Sequence, residues 1–171
     1  MTTKKGDTVT DNAPAERTSS ESLDRIRPGG RIVVGVDGSA SSLSALRRGA
    51  RIAERLDCAL VGVTVWEFPQ SWPGYVMDGW SPEADAHTIA EQATREVFGP
   101  VVPPWYSSVI RNGSPARQLI AESEDAEMLI VGSRGLGGFT GLLLGSVSRS
   151  CVEHADCPVL VIHGSEAAAR N

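Results

Sequence analysis

Short, unbroken apolar runs punctuate the chain at Ile32–Val36 (IVVGV), Leu60–Trp66 (LVGVTVW), Met128–Val131 (MLIV) and Val159–Ile162 (VLVI). They are continuous rather than alternating, and β-branched residues recur in them. Strands buried on both faces have this appearance, so the runs predict a parallel sheet covered by helices. A weaker fifth strand is expected at Tyr106–Ile110. Between the runs the apolar spacing becomes helical. Leu43, Leu46, Ala50, Ala53 and Leu56 fall on one stripe, with Arg47, Arg48, Arg51 and Arg55 largely on other faces. Ser81-Pro82 pairs an N-cap residue with proline at the first helical position, and Ile89, Ala93 and Val97 follow as a stripe. Ser114-Pro115 repeats that start ahead of Leu119 and Ile120. A last helix is expected from Ser146 to about His154, stopped before Pro158. Strand and helix alternate along the chain, which predicts a Rossmann-like, doubly wound α/β sheet with helices on both faces.

Length and charge narrow the class. The chain has 171 residues, enough for one domain with tails. Residues 1–28 are polar and nearly free of aliphatic side chains, so they read as a disordered arm. The domain is expected over 29–163, and 164–171 as a flexible tail. Sixteen Lys+Arg against 21 Asp+Glu give a net charge of −5, which argues against a general nucleic-acid binder. No apolar run approaches the ~18–20 residues of a membrane span, and the first 27 residues lack the apolar core of a secretory signal. Cys58, Cys151 and Cys157 form neither a CxxC pair nor a disulfide framework. A cytoplasmic location is expected.

Ligands of open α/β sheets bind beyond the carboxyl ends of the strands, where the strand order reverses. Val36-Asp37-Gly38-Ser39 and Val65-Trp66-Glu67 lie at two such ends. The third is the most informative: Gly132, Gly135, Gly137, Gly138, Gly141 and Gly145 crowd into fourteen residues between a buried strand and a helix. Glycine lets main-chain N–H groups approach a ligand with no Cβ in the way. A helix starting at Ser146 would add its unpaired amides and positive dipole end, which suits a polyphosphate. Other nucleotide signatures are missing. There is no GxxxxGK[ST], the first strand is followed by GVDGSA rather than GxGxxG, and no GxSxG elbow occurs.

Gly132, two residues, Gly135, nine residues, then Gly145-Ser146 resembles the phosphate- and ribose-binding pattern of the ATP-binding branch of the universal stress protein family. IVVGVDGS (Ile32–Ser39) is similar to that family's first strand, GSRGLGGFTGLLLGSVS (Gly132–Ser148) to its signature loop, and ADCPVLVI (Ala155–Ile162) to its closing strand. The likeness runs from about Arg31 to His163. It implies a five-stranded parallel sheet of order 3-2-1-4-5 and a homodimer formed through the last strand. It also implies bound ATP, with Mg²⁺ or Mn²⁺ held mainly by the phosphates and water. Carried over by position, Asp37 and Val65 would lie at the adenine. Gly132 and Gly135 would offer amides to ribose and phosphates. Gly145, Ser146 and Ser148, with Val147 among them, would hold the phosphates. Arg134 either covers the triphosphate or is a solvated surface arginine. The implied role is a nucleotide-dependent sensor in stress response. The alternatives are a slow ATPase or self-phosphorylating protein using the same pocket, and an interaction module that binds no nucleotide.

Several residues carry a plainer reading. Asp37 also suits the turn that caps the first helix. Cys151 and His154, three apart on one helix, lack further metal ligands and are expected as a packed, hydrogen-bonded core pair. Cys157 is expected to be small and buried, His87 and His163 at the surface. Trp72, Tyr75 and Trp80 in the stretch 68–80 form either a lid, a contact surface or a cover over the sheet edge. Glu122, Glu124, Asp125 and Glu127 are expected as a solvated helix end.

Overall fold

A computed structural model describes residues 27–68, 80–136 and 143–164. The elements run β1 (Arg31–Gly35), α1 (Ala40–Leu56), β2 (Ala59–Trp66), α2 (Pro82–Phe98), β3 (Tyr106–Asn112), α3 (Pro115–Glu122), β4 (Met128–Gly132), α4 (Ser146–His154) and β5 (Val159–Ile162). The strands form one sheet of order β3-β2-β1-β4-β5 in which every neighbouring pair is parallel. The expected order 3-2-1-4-5 is therefore the observed one. The weakest of the expected strands is present and runs to Asn112, two residues further than its apolar pattern reached.

Because side chains alternate along a strand, each apolar run feeds two cores. Ile32 and Val34 of β1, Leu60 of β2 and Ile130 of β4 pack with Leu46 and Ala53 of α1 and Ala93 of α2. Val33, Val63, Leu129 and Val131 face the other way, against Leu119 of α3 and Cys151 of α4. Central β1 is buried along Ile32–Val34, as a strand covered on both faces must be. Local chemistry fixes the helix starts. Ser39 caps α1, its Oγ accepting from Ser42 N at 3.2 Å. Ser81 caps α2 with Pro82 at its first position, and Trp80 Nε1 donates to Asp85 Oδ2 at 2.8 Å in that helix's first turn. At Gly49 an added Cβ would lie 2.8 Å from Val34 Cγ2, so α1 can rest this close to the sheet only with glycine there.

Three expectations are corrected by packing. The acidic stretch is not uniformly solvated. Glu127 is buried and accepts from Arg27 Nε at 2.8 Å, while Glu122 pairs with Arg111 at 2.5 Å. A buried carboxylate just ahead of β4 is tolerated because a guanidinium reaches it. Cys151 and His154 do not form a core pair: Cys151 is fully buried, but His154 ends α4 and is exposed. Cys157 is half-buried rather than buried. His87 and His163 are at the surface. Trp72 and Tyr75 lie outside the described residues, as do residues 1–26 and 165–171. Phe68, beside that stretch, packs edge-on to Trp66 with ring centroids 5.2 Å apart.

Burial sets the chemistry of the cysteines. It pushes the Cys151 thiol, aided by the nearby Cys157, from about 9 up to about 11, and raises Cys58 and Cys157 as well. Raised thiols are poor nucleophiles. The folded chain keeps the Cys151 proton at pH values where the unfolded chain has lost it, so this contribution to stability falls as pH rises from about 9 to about 11. In urea unfolding between pH 8 and 11, the wild type should lose about 2–3 kcal/mol more than Cys151→Ala. Parallel pH profiles for the two proteins would refute that assignment.

Candidate functional site

The strand order reverses between β1 and β4, and the chain leaves them on opposite faces of the sheet. After β1 it passes through Val36-Asp37-Gly38-Ser39 into α1; after β4 it reaches α4 across the other face. Divergence of that kind opens a crevice at the carboxyl ends of the strands. Here it is a cavity of about 460 Å³, inside the range of small-molecule sites.

All nine residues singled out from the sequence line this one cavity: Asp37, Val65, Gly132, Arg134, Gly135, Gly145, Ser146, Val147 and Ser148. One part is apolar, where Val63 and Val65 of β2 meet Val131 of β4 and Leu119 and Pro115 of α3. The other part is polar and made mostly of main chain, from Gly132–Gly135 and the start of α4. Leu119 and Pro115 escaped sequence reading. A proline that opens a helix and a leucine on its apolar stripe carry no mark that they also line a cavity.

Each polar residue has a definite local role. Asp37 Oδ1 accepts from Ser39 N at 3.0 Å, and Asp37 N donates to Ser42 Oγ at 3.3 Å, so the carboxylate is held by the turn into α1 while Ser39 provides the cap. Asp37 is thus a turn residue that also lines the cavity. At Gly135 an added Cβ would fall 2.5 Å from Asp37 Oδ2; glycine there lets the carboxylate and the loop after β4 approach each other. Arg134 is exposed and its guanidinium makes no ion pair among the described residues. Its carbonyl oxygen is held from α1, accepting from Ser41 Oγ and, at 3.4 Å, from Ser39 Oγ.

The start of α4 is the electropositive element. Its N-cap is Gly145, which has no side chain to bond the first-turn amides, and no side-chain cap is present. Those amides and the helix dipole are therefore presented without a competing acceptor from the cap. Gly145 N itself donates to Ser133 O at 2.7 Å. Ser148 is buried and its hydroxyl turns to Ser133 O (3.0 Å) and Gly145 O (3.1 Å), whereas the hydroxyl of the exposed Ser146 has no partner among the described residues. Such a cavity can hold a flat apolar group on one side and an anion at the other. A wider, more open hollow of about 690 Å³ lies between α2 and β3, beside His87, Glu91 and Arg95, and none of the nine residues reaches it. Among the described residues no cluster of three His, Cys, Asp or Glu is placed to bind a metal, and no helix is long and apolar enough to cross a membrane.

The model of the universal stress protein family matches residues 30–163 of this chain. A universal stress protein of Mycolicibacterium smegmatis is 37% identical over 147 residues, covering 82% of this chain and 50% of that protein. The chain spans about half the length of the curated relatives it matches. Among solved structures, a universal stress protein in complex with cAMP is 28% identical, with a TM-score of 0.61 over 81% of this chain and all of that one. The universal stress protein of Archaeoglobus fulgidus in complex with dAMP shares the fold at 20% identity and TM-score 0.59, over 80% of this chain and 99% of that one.

Proposed function

This chain belongs to the universal stress protein family, and from that premise we propose that it binds ATP and acts as a nucleotide-dependent regulator in stress response. The observation that carries the proposal is the uncapped start of α4, whose free amides share one cavity with an apolar slot. The slot bounded by Val63, Val65 and Leu119 suits adenine, with Asp37 beside it. The α4 amides, the Ser146 hydroxyl and the Arg134 guanidinium suit the phosphates. A neighbour 28% identical in complex with cAMP supports an adenine nucleotide as the ligand class.

Mg²⁺ or Mn²⁺ fits this arrangement only as a companion of the phosphates, because Asp37 is the one carboxylate among the described residues of the cavity. The ion would neutralise phosphate charge, with its other positions taken by water. Residues 29–163 form the binding domain in this reading, flanked by a polar arm and tail. β5 is an edge strand whose four residues are all half-buried, which supports pairing with a second copy there. A cytoplasmic setting accords with an ATP ligand.

Regulation then works by linkage: ATP at about 100 times its Kd stabilises the bound form by about 2.7 kcal/mol. The test is titration calorimetry of ATP with Mg²⁺ into full-length protein cleared of co-purified nucleotide. Saturable binding of one ATP per chain is expected in the micromolar range, about −8 kcal/mol. No binding by nucleotide-free, folded protein would remove this reading in favour of an interaction module. ADP accumulating over time in the same samples would favour the slow ATPase.

A further inference from the structure

The main-chain loop after β4 is held by two hydroxyls from the other side of the crevice. Ser39 and Ser41 belong to the cap and first turn of α1, and both are buried. Ser41 Oγ donates to the Arg134 carbonyl. Ser39 Oγ lies 3.4 Å from the same oxygen and 3.2 Å from Ser41 Oγ. Packing leaves Ser41 little freedom, since positions where Gly132 and Gly164 would carry a Cβ lie 2.5 Å from its Oγ and 3.3 Å from its backbone nitrogen.

The carbonyl of Arg134 and the N–H of Gly135 belong to one peptide unit. That unit is planar and trans, so the two groups point in opposite directions. Fixing the carbonyl toward α1 therefore fixes the Gly135 N–H away from α1. The N–H has no hydrogen-bond partner among the described residues, and Gly135 lines the cavity. Glycine at 135 would otherwise leave this plane free to turn over, which would aim an oxygen instead of a hydrogen at the ligand.

We propose that Ser41, assisted by Ser39, is a positioning residue that sets the Arg134–Gly135 peptide so that its N–H is offered to a phosphate oxygen in the cavity. The inference rests on the nucleotide reading above and adds to it two serines that touch no ligand. Preorganised amides of this kind are worth most where a charged oxygen receives them.

The experiment compares wild type and Ser41→Ala by calorimetry with Mg-ATP and with adenosine, and by the amide proton shift of Gly135 in ligand-free protein. Ser41→Ala should weaken ATP about tenfold, equivalent to about 1.4 kcal/mol, and leave adenosine unchanged, with the Gly135 amide signal moved. A merely structural role would weaken both ligands alike. Ser41→Cys adds no charge and replaces the hydroxyl by a much weaker donor, and should act in the same direction should Ser41→Ala fail to fold. Equal ATP affinity in wild type and variants overturns the positioning role and leaves the nucleotide reading standing. A wild type that binds neither ATP nor adenosine overturns both.

Discussion

Replacing Gly145 by glutamate should abolish ATP binding and leave the fold intact. Gly145 has φ −72° and ψ 170°, a conformation open to any residue. A Cβ there would meet Arg134 Cα and Ser133 O at 3.6 Å, ordinary van der Waals contact. Neither the backbone nor the nearest atoms therefore call for glycine. What glycine does at this N-cap is leave the first-turn amides of α4 without a side-chain acceptor. A glutamate placed there would bring its own carboxylate to the positive end of the helix, where it is favoured by up to about 1 kcal/mol. It would occupy the site proposed for phosphate and repel the rest of a triphosphate. Two lost amide-to-phosphate bonds at roughly 1.5–3 kcal/mol each predict a loss of about a hundredfold or more. The unfolding midpoint should stay level or rise slightly. Gly145→Gln separates bulk from charge, and it should retain part of the affinity. ATP binding by Gly145→Glu within about threefold of wild type would mean that the phosphates do not lie at α4.

The parts of this fold that could be read from sequence are those whose reason lies in neighbouring residues. The apolar runs of β1 and β4 had to be buried on both faces, and their central residues are; β2 is buried in its middle and half-buried toward Trp66, and the run of β5, at the sheet edge, is only half-buried. Ser81-Pro82 and Ser114-Pro115 mark helix starts by local backbone chemistry alone, and α2 and α3 begin there. The candidate cavity was legible for the same reason: a glycine-rich stretch between a buried strand and a helix leaves main chain to line it. Features that depend on distant partners were not legible. Glu127 reads as one more surface acid because Arg27, which lets it be buried, stands 100 positions away. His154 shares the spacing of a core residue with Cys151, yet it is the last residue of a nine-residue helix, where the chain turns off toward β5. Ser41 looks like an ordinary helical serine, and only the folded arrangement brings it to Arg134, 93 positions on.

Gly132→Val should produce the opposite phenotype, a destabilised protein, although Gly132 belongs to the same glycine motif. The residue closes β4, in register with Ile162 of β5, and its backbone is not among the positive-φ positions. Its constraint comes from α1. An added Cβ would lie 2.5 Å from Ser41 Oγ, 2.8 Å from the Ser41 carbonyl carbon and 2.9 Å from its Cβ. The hydroxyl could swing aside, but the carbonyl carbon belongs to a capped first turn that also packs against Gly164. The helix must then lift from the sheet, and it lies on the buried core of β1 and β4. Overpacking of this kind costs about 1–3 kcal/mol, and the two further methyls of valine place the expected cost at about 3 kcal/mol. For a domain of this size Tm should fall by roughly 10 °C. ATP affinity should also drop, since a displaced Ser41 releases the Arg134 carbonyl, but the loss should follow the loss of stability instead of appearing in its absence as at Gly145. A Gly132→Val protein with wild-type Tm would show that the gap between β4 and α1 is kept for the ligand alone. A lowered Tm, beside a fully stable Gly145→Glu, would assign one glycine of the motif to the contact between helix and sheet and the other to the anion.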